Sequence, residues 1–337
     1  MSGASIAYHL RTHKTVDRRL FTDLLGRYER FRSLANAVYI SMGAYSLEDH
    51  RLIHRNLGIT RMVAFDLDAS IVSRQNFNRP VESCVCIEKN SGDFISELSA
   101  ILESSGYVEA TSVVIWLDYT DPKQIGAQVR EFQSLLDKLR EGDVVRVTVN
   151  ANPKELDSKA TAAPERVTKV MENQFSTLKQ FIGDYLPSTA TSSDMTAEGL
   201  ARVLAQAFGS AALKALPATG RTIFSPLSIV RYADTTQMLS ITGVLVARDG
   251  VNKLRSSMGL EEWPFSSEGW TDIKKLIVPA ITLRERLFLE RSILRKEDDE
   301  IESELGFSSF GEVAVGEFLE SYRKYYRFYP TFLSAEI

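Results

Sequence analysis

The chain has 337 residues, room for one large α/β domain with additions or for two domains. Its 44% hydrophobic and 25% charged residues are those of an ordinary folded protein and exclude wholesale disorder. A formal net charge of −4 argues against a generally basic nucleic-acid binder, and the two cysteines cannot build a disulfide framework or a four-ligand zinc site.

No apolar run is long enough to span a membrane, and the N-terminus lacks an apolar signal core. A cytoplasmic protein with reduced cysteines is therefore expected. Residues 1–34 form an N-terminal basic helical segment, with seven Lys/Arg against three Asp/Glu. Val16, Leu20, Leu24, Leu25, Tyr28 and Phe31 recur at helical spacing and predict a helix over 16–36. Its charges read as a solvated face; the sharper alternative is a contact surface for a phosphate-bearing or acidic partner. Arg11, His13, Lys14, Asp17 and Arg18 also admit a lid over a cleft.

Strands and helices then alternate. Residues 36–44, "NAVYISMGA", are a short apolar strand breaking into a small-residue turn at Gly43. A helix follows, with Gly58 as its stop. His50 and His54 lie four apart on it, but no third metal ligand is visible, so no metal is expected. The second strand, "RMVAFDL", ends on Asp66 and Leu67, and Asp68 has the character of a helix N-cap. The third strand holds Cys84 and Cys86 on one side and leads into "SGDFISEL", where Ser91 or Asp93 can cap a helix and Phe94 can enter the core. The fourth strand, "VVIWLDY", is the most apolar of this half and ends on Asp118, followed by Tyr119, Asp121 and Pro122. A helix and a fifth strand, "VVRVTVNA", complete the run. Parallel strands need crossover helices, so five such alternations read as a doubly wound sheet.

Residues 152–220 change character, with Ser/Thr/Ala/Pro-rich stretches around helical runs, and read as a helical insertion. Two β-branched runs then form a hairpin turning at Asp234-Thr235. Residues 251–337 form a C-terminal helical region. In it Phe318, Tyr322, Tyr325 and Tyr329 make one helical stripe, with Arg323, Lys324 and Arg327 between them. Such a stripe predicts a helix packed on its own core; the alternative is a clamp for single-stranded nucleic acid.

Five alternating strands followed by a hairpin resemble the class I S-adenosylmethionine-dependent methyltransferase fold, and at family level the bacterial O-methyltransferases. The resemblance implies a doubly wound, mostly parallel, seven-stranded sheet, a methyltransferase-like Rossmann domain over 35–250 with the 152–220 insertion inside it. It implies S-adenosylmethionine as cofactor and methyl transfer to an unidentified acceptor. The family's loop after the first strand passes under the cofactor's methionine part, which assigns Gly43, although the G-x-G signature is absent. An acid ending the second strand holds the ribose hydroxyls, which assigns Asp66, with Leu67 over the adenine. By position Asp93 and Phe94 would lie near the adenine, and Asp118 would bind the cofactor or act as base. The alternative is a catalytically inactive relative that binds a protein or nucleic-acid partner through the basic segment, the insertion or the C-terminal helix. A nicotinamide dehydrogenase is disfavoured because no G-x-G-x-x-G turn is present.

Overall fold

The computed structural model describes residues 11–156, 164–233 and 236–330. The expected hairpin turn at Asp234-Thr235 lies outside the described residues. The helix expected over 16–36 is α1 (Thr12–Tyr28). It is followed by β1 (Ala37–Ser41), α2 (Glu48–Leu57), β2 (Arg61–Asp66), α3 (Ala69–Asn78), β3 (Cys84–Glu88), α4 (Ser91–Ser96) and α5 (Leu98–Ser104). Next come β4 (Ser112–Asp118), α6 (Ile125–Leu136), β5 (Val144–Asn150), α7 (Pro164–Ile182), α8 (Ala197–Ala215), β6 (Thr222–Ala233) and β7 (Gln237–Ala247). The last part holds α9 (Val251–Met258), β8 (Lys274–Leu276), α10 (Leu283–Ser292), α11 (Asp298–Leu305), the short pair β9 (Ser309–Phe310) and β10 (Val313–Ala314), and α12 (Val315–Tyr325).

The main sheet runs in the order β3-β2-β1-β4-β5-β7-β6-β8. Strands β1 to β5 are parallel, and β7 is antiparallel to both β5 and β6. This is the doubly wound sheet closed by a hairpin that the sequence predicts, with eight strands where seven are expected. The additional strand, β8, joins β6 in parallel. Its three residues, Lys-Lys-Leu, carry no β-branched or aromatic side chain, so nothing in their composition announces a strand.

Every residue of β1 and of β5 is buried, because helices cover both faces of the sheet. Alternate side chains enter two separate cores. Tyr39, Val114, Trp116 and Val144 join one with α1 and the C-terminal helices. Val38, Ile115, Leu117 and Val145 join the other with α4 to α8. In the second core Leu200, Leu204 and Phe208 bring α8 onto the sheet beside α6, and Phe208 meets Phe132 edge-on at 5.2 Å. Thr196 starts that helix by accepting the Gly199 N–H. In the first core, Phe318, Tyr322, Tyr325 and Tyr329 all point inward, so the aromatic stripe is core and not a nucleic-acid clamp. Cys84 is buried and Cys86 half-buried; neither is in a disulfide.

One expectation for α1 needs correcting. Its charges do not all form a solvated face: Lys14, Asp17 and Arg18 are no more than 5% exposed. Positions 14, 17, 18 and 21 share one side of the helix, and that side meets β4, β5 and β7. There Arg146 donates to Asp17 at 2.5 Å and to Thr242 at 2.7 Å, and its guanidinium lies 4.8 Å from the ring centres of both Phe21 and Trp116. Lys14 and Asp17 are buried against sheet partners of opposite sign, Asp118 and Arg146.

Candidate functional site

The site begins where β1 stops. After Ser41 the chain turns through Gly43 (φ +58°) and Ala44 (φ +41°), and enters α2 through Leu47 (φ +51°). Glycine is needed at position 43 on two counts. The backbone is left-handed, and a Cβ there would lie 2.6 Å from Leu47 and 3.0 Å from His50. The crowding thus comes from the protein's own side chains. Ala44 and Leu47 adopt a conformation that costs about 1–3 kcal/mol each in a non-glycine residue, so the surroundings must hold it. Two side chains of α3 do so: Gln75 donates to the Met42 and Ala44 carbonyls at 3.2 and 3.1 Å, and Asn78 to the Tyr45 carbonyl at 2.9 Å.

Beneath this turn lies a buried charged network. The Asp49 carboxylate accepts from Tyr39 at 2.7 Å and from Ser41. His50 directs Nδ1 at Asp49 (3.3 Å) and Nε2 at the Val63 carbonyl (3.1 Å). An ionised Asp49 and the Val63 carbonyl both accept, an arrangement that favours hydrogen on both ring nitrogens. Burial alone would raise the Asp49 carboxyl, but His50, Ser41 and Tyr39 outweigh it and hold it well below the usual range. For His50 burial lowers the pKa, while Asp49 and the Val63 carbonyl raise it further, to a net upward shift. His54 instead faces the Ile59 carbonyl at 3.1 Å, and no metal-binding cluster exists among the described residues.

Strand β2 supplies the next group. Asp66 is half-buried at its carboxyl end and accepts the Asp68 N–H at 3.0 Å. Burial raises its carboxyl, and the neighbouring Asp68 adds to the rise against the backbone hydrogen bonds. Asp68 is the N-cap of α3, accepting from the Ser70 N–H at 2.8 Å. Leu67, between them, is 70% exposed, an apolar side chain held at the surface by the acids on either side.

Strand β4 supplies Trp116 and Asp118, whose side chains share a face. Trp116 donates to Thr148 at 3.0 Å. Asp118 accepts from the Lys14 ammonium at 2.7 Å, and that ammonium also lies 5.1 Å from the Trp116 ring centre. The N-terminal helix therefore reaches the strand ends. Gly43, Asp49, Asp66, Leu67, Asp68, Trp116 and Asp118, with Arg11 at the N-cap of α1, Arg18 of α1 and Arg74 of α3, line one cavity of about 680 Å³.

Two of the sequence-predicted residues stand apart from it. Asp93 is exposed at the start of α4, where Asn90, not Ser91 or Asp93, is the N-cap. Asn90 accepts the Asp93 N–H at 2.8 Å and donates to its carboxylate at 2.6 Å. Phe94 is 1% exposed and stacks on Phe65 at 4.0 Å. Their positions are explained by capping and core packing, and neither lines the cavity. Asp121 caps the turn at Pro122–Gln124, accepting from Lys123. Sequence reasoning missed Asp49, Gln75 and Trp116. Asp49 left a trace, since with Glu48 it puts two acids in the first turn of α2.

A family model described as "Putative O-methyltransferase" matches residues 6–337, nearly the whole chain. Among solved structures, the plantazolicin methyltransferase BpumL in complex with SAH is similar, with 8% identity over 72% of this chain and 91% of that one, at a TM-score of 0.38. The O-methyltransferase from Bacillus cereus in complex with SAH is 12% identical over 66% of this chain and 79% of that one, at a TM-score of 0.35. A chain of the fibrillarin/Nop5p complex is 14% identical over 62% and 72%, at 0.33. No curated protein matches the sequence. The chain belongs to the O-methyltransferase family that the model describes.

Proposed function

We propose that this family member holds S-adenosylmethionine at the carboxyl ends of its parallel strands and passes the methyl group to an acceptor hydroxyl. One observation carries the reading: Gly43, Asp66, Leu67 and Asp118, from three strand ends, line the same cavity of about 680 Å³. That volume lies within the range of small-molecule and cofactor sites, roughly 300–1,000 Å³. In open α/β sheets ligands bind outside the carboxyl ends of the strands, where strand order reverses. Here the reversal lies between β1 and β4.

The residues fit the cofactor chemically. Asp66 offers a carboxylate for the two ribose hydroxyls, and the exposed Leu67 offers apolar cover for the adenine. The wall carries charges of both signs, with Asp49, Asp66, Asp68 and Asp118 beside Arg11, Arg18 and Arg74, so it offers partners to a ligand that is itself both cationic and anionic. When bound, the cofactor supplies an electrophilic methyl group on a sulfonium. The protein's task is then to align donor and acceptor. Asp118 would position the acceptor hydroxyl and take up its proton, while the contact to Lys14 at 2.7 Å fixes the carboxylate in place.

The same ion pair favours a second reading. A carboxylate already engaged by an ammonium is a poor base, which suits a relative that binds the donor or a partner without turnover. Titration calorimetry with S-adenosylmethionine, paired with a methyl-transfer assay over a panel of phenols and alcohols, separates the two. Asp66→Ala is expected to weaken donor binding about ten- to a hundredfold, the loss of charge-assisted hydrogen bonds. Asp118→Asn is expected to keep donor binding and lose transfer. Wild-type protein that binds no donor overturns the enzyme reading; donor binding with no transfer to any acceptor supports the second.

A further inference from the structure

A second concave site lies away from the strand ends, among α1, α2 and the turn at Tyr326–Phe328. Its cavity of about 520 Å³ is lined by five arginines: Arg19 and Arg27 from α1, Arg30 just beyond its end, Arg55 from α2 and Arg327. The single acid in its wall, Asp23, is engaged by Arg27 at 3.0 Å. Arg19 donates to the Phe328 and Tyr329 carbonyls at 3.1 and 3.2 Å. Arg30, Arg55 and Arg327 make no ion pair among the described residues, and Arg327 only approaches the neighbouring Phe328 ring. Like charges gathered in a partly closed groove repel one another. Burial, with Arg286 adding to it, shifts the Arg19 pKa downward. The protein as a whole carries −4, so this concentration of positive charge opposes its average.

We propose that this groove binds a small organic ligand carrying a diphosphate, of the nucleoside diphosphate class. Guanidinium forks match phosphate oxygens in geometry as well as charge. Three of them without a carboxylate partner match two adjacent phosphates better than a single carboxylate. Leu52, Leu57 and Phe328 line the same groove and give it apolar surface, which an inorganic anion would leave unused. A volume of about 520 Å³ suits a small molecule. The site shares no lining residue with the cavity at the strand ends, so it stands independently of the methyltransferase reading.

The test is titration of the full chain with ADP, AMP and inorganic pyrophosphate at fixed ionic strength, comparing wild type, Arg30→Ala/Arg55→Ala and Asp66→Ala. Both arginines are exposed, so the double variant is expected to keep the wild-type melting temperature without ligand. ADP is expected to bind, AMP roughly tenfold or more weakly, and the double variant to lose roughly ten- to a hundredfold in ADP affinity. Asp66→Ala is expected to bind ADP as wild type does. ADP tighter than pyrophosphate supports use of the apolar lining; pyrophosphate as tight as ADP overturns the organic part of the proposal. No ADP binding, unchanged binding in the double variant, or loss in Asp66→Ala overturns the proposal. So does an RNA oligonucleotide that binds far more tightly than ADP and loses that affinity in the double variant.

Discussion

The two faces of the sheet are built on different principles. Helices α4 to α8 cover one face with an apolar layer, and among the described residues they contribute no buried charged side chain. Helices α1 and α2, on the other face, contribute Lys14, Asp17, Arg18, Asp49 and His50, all buried. Beneath them the sheet answers with Arg146, Thr148, Ser240 and Thr242. Desolvating these charges is costly, and their mutual attraction offsets that cost only where hydrogen bonding is nearly complete. Here it is incomplete, since Arg146 Nε and the Tyr232 hydroxyl are buried without a partner among the described residues. The apolar face is specified by shape. The charged face is specified by pairing, and it is the face from which α1 reaches the strand ends.

The largest expected effect tests that contrast directly. Arg146→Ala strands the Asp17 carboxylate in the core and should cost about 3–5 kcal/mol, read as a fall in the urea midpoint. Phe132→Ala on the apolar face should cost a similar 3–5 kcal/mol by opening a cavity. The two losses differ in how they are rescued. Asp17→Leu combined with Arg146→Met removes both charges, and should recover most of the loss seen in Arg146→Ala. If the double variant is as unstable as the single one, pairing is not what organises this face.

That distinction also explains what could be read from the sequence. The β1 to β5 alternation and the hairpin follow from apolar periodicity, which reports burial faithfully when the buried residues are apolar. Gly43, Asp66, Leu67 and Asp118, which the structure brings to one cavity, were legible as strand-end positions because they sit at ends of such runs. Asp17 and Arg146 were not read as buried partners, because they are 129 positions apart and hydropathy scores each as surface. Lys14 has the same history, and its link to Asp118 crosses 104 positions. Gln75 carries no signal at all: its role is to hold the carbonyls of a turn that lies about thirty positions earlier in the chain. Asp93 and Phe94, which do not line the cavity, show the opposite situation. Their local pattern is compatible with a cofactor contact and with a capped, core-packed helix start, and only the fold separates the two.

A smaller effect on the charged face is its response to pH. The folded-state pKa of His50 is raised above 6.5, so the pair's contribution is complete below 6.5 and is lost as pH rises through the raised value. Asp49 is depressed below 3.8, so its contribution is present above 3.8 and is lost as pH falls through the lower value. Each hydrogen bond to a charged partner contributes about 1.5–3 kcal/mol. Melting temperature should therefore decline on the alkaline side in the wild type, and less steeply in His50→Gln, which keeps a donor but does not titrate. Equal slopes in the two proteins would show that the imidazolium does not stabilise this face.

The smallest effect belongs to the start of α4, on the apolar face. Asn90→Ala removes the cap that satisfies the Asp93 N–H, and should cost about 1 kcal/mol. Asp93→Ala removes a carboxylate that is exposed and bonded to Asn90, and should change stability by less than about 0.5 kcal/mol. Neither residue lines the cavity at the strand ends, so neither substitution should alter S-adenosylmethionine affinity, in contrast with Asp66→Ala. Calorimetry on Asp93→Ala is the decisive comparison. A loss of donor affinity comparable to that of Asp66→Ala would mean that the ligand extends past β2 toward α4. The boundary between a face that carries ligand contacts and one that only packs would then have to be redrawn at Phe94.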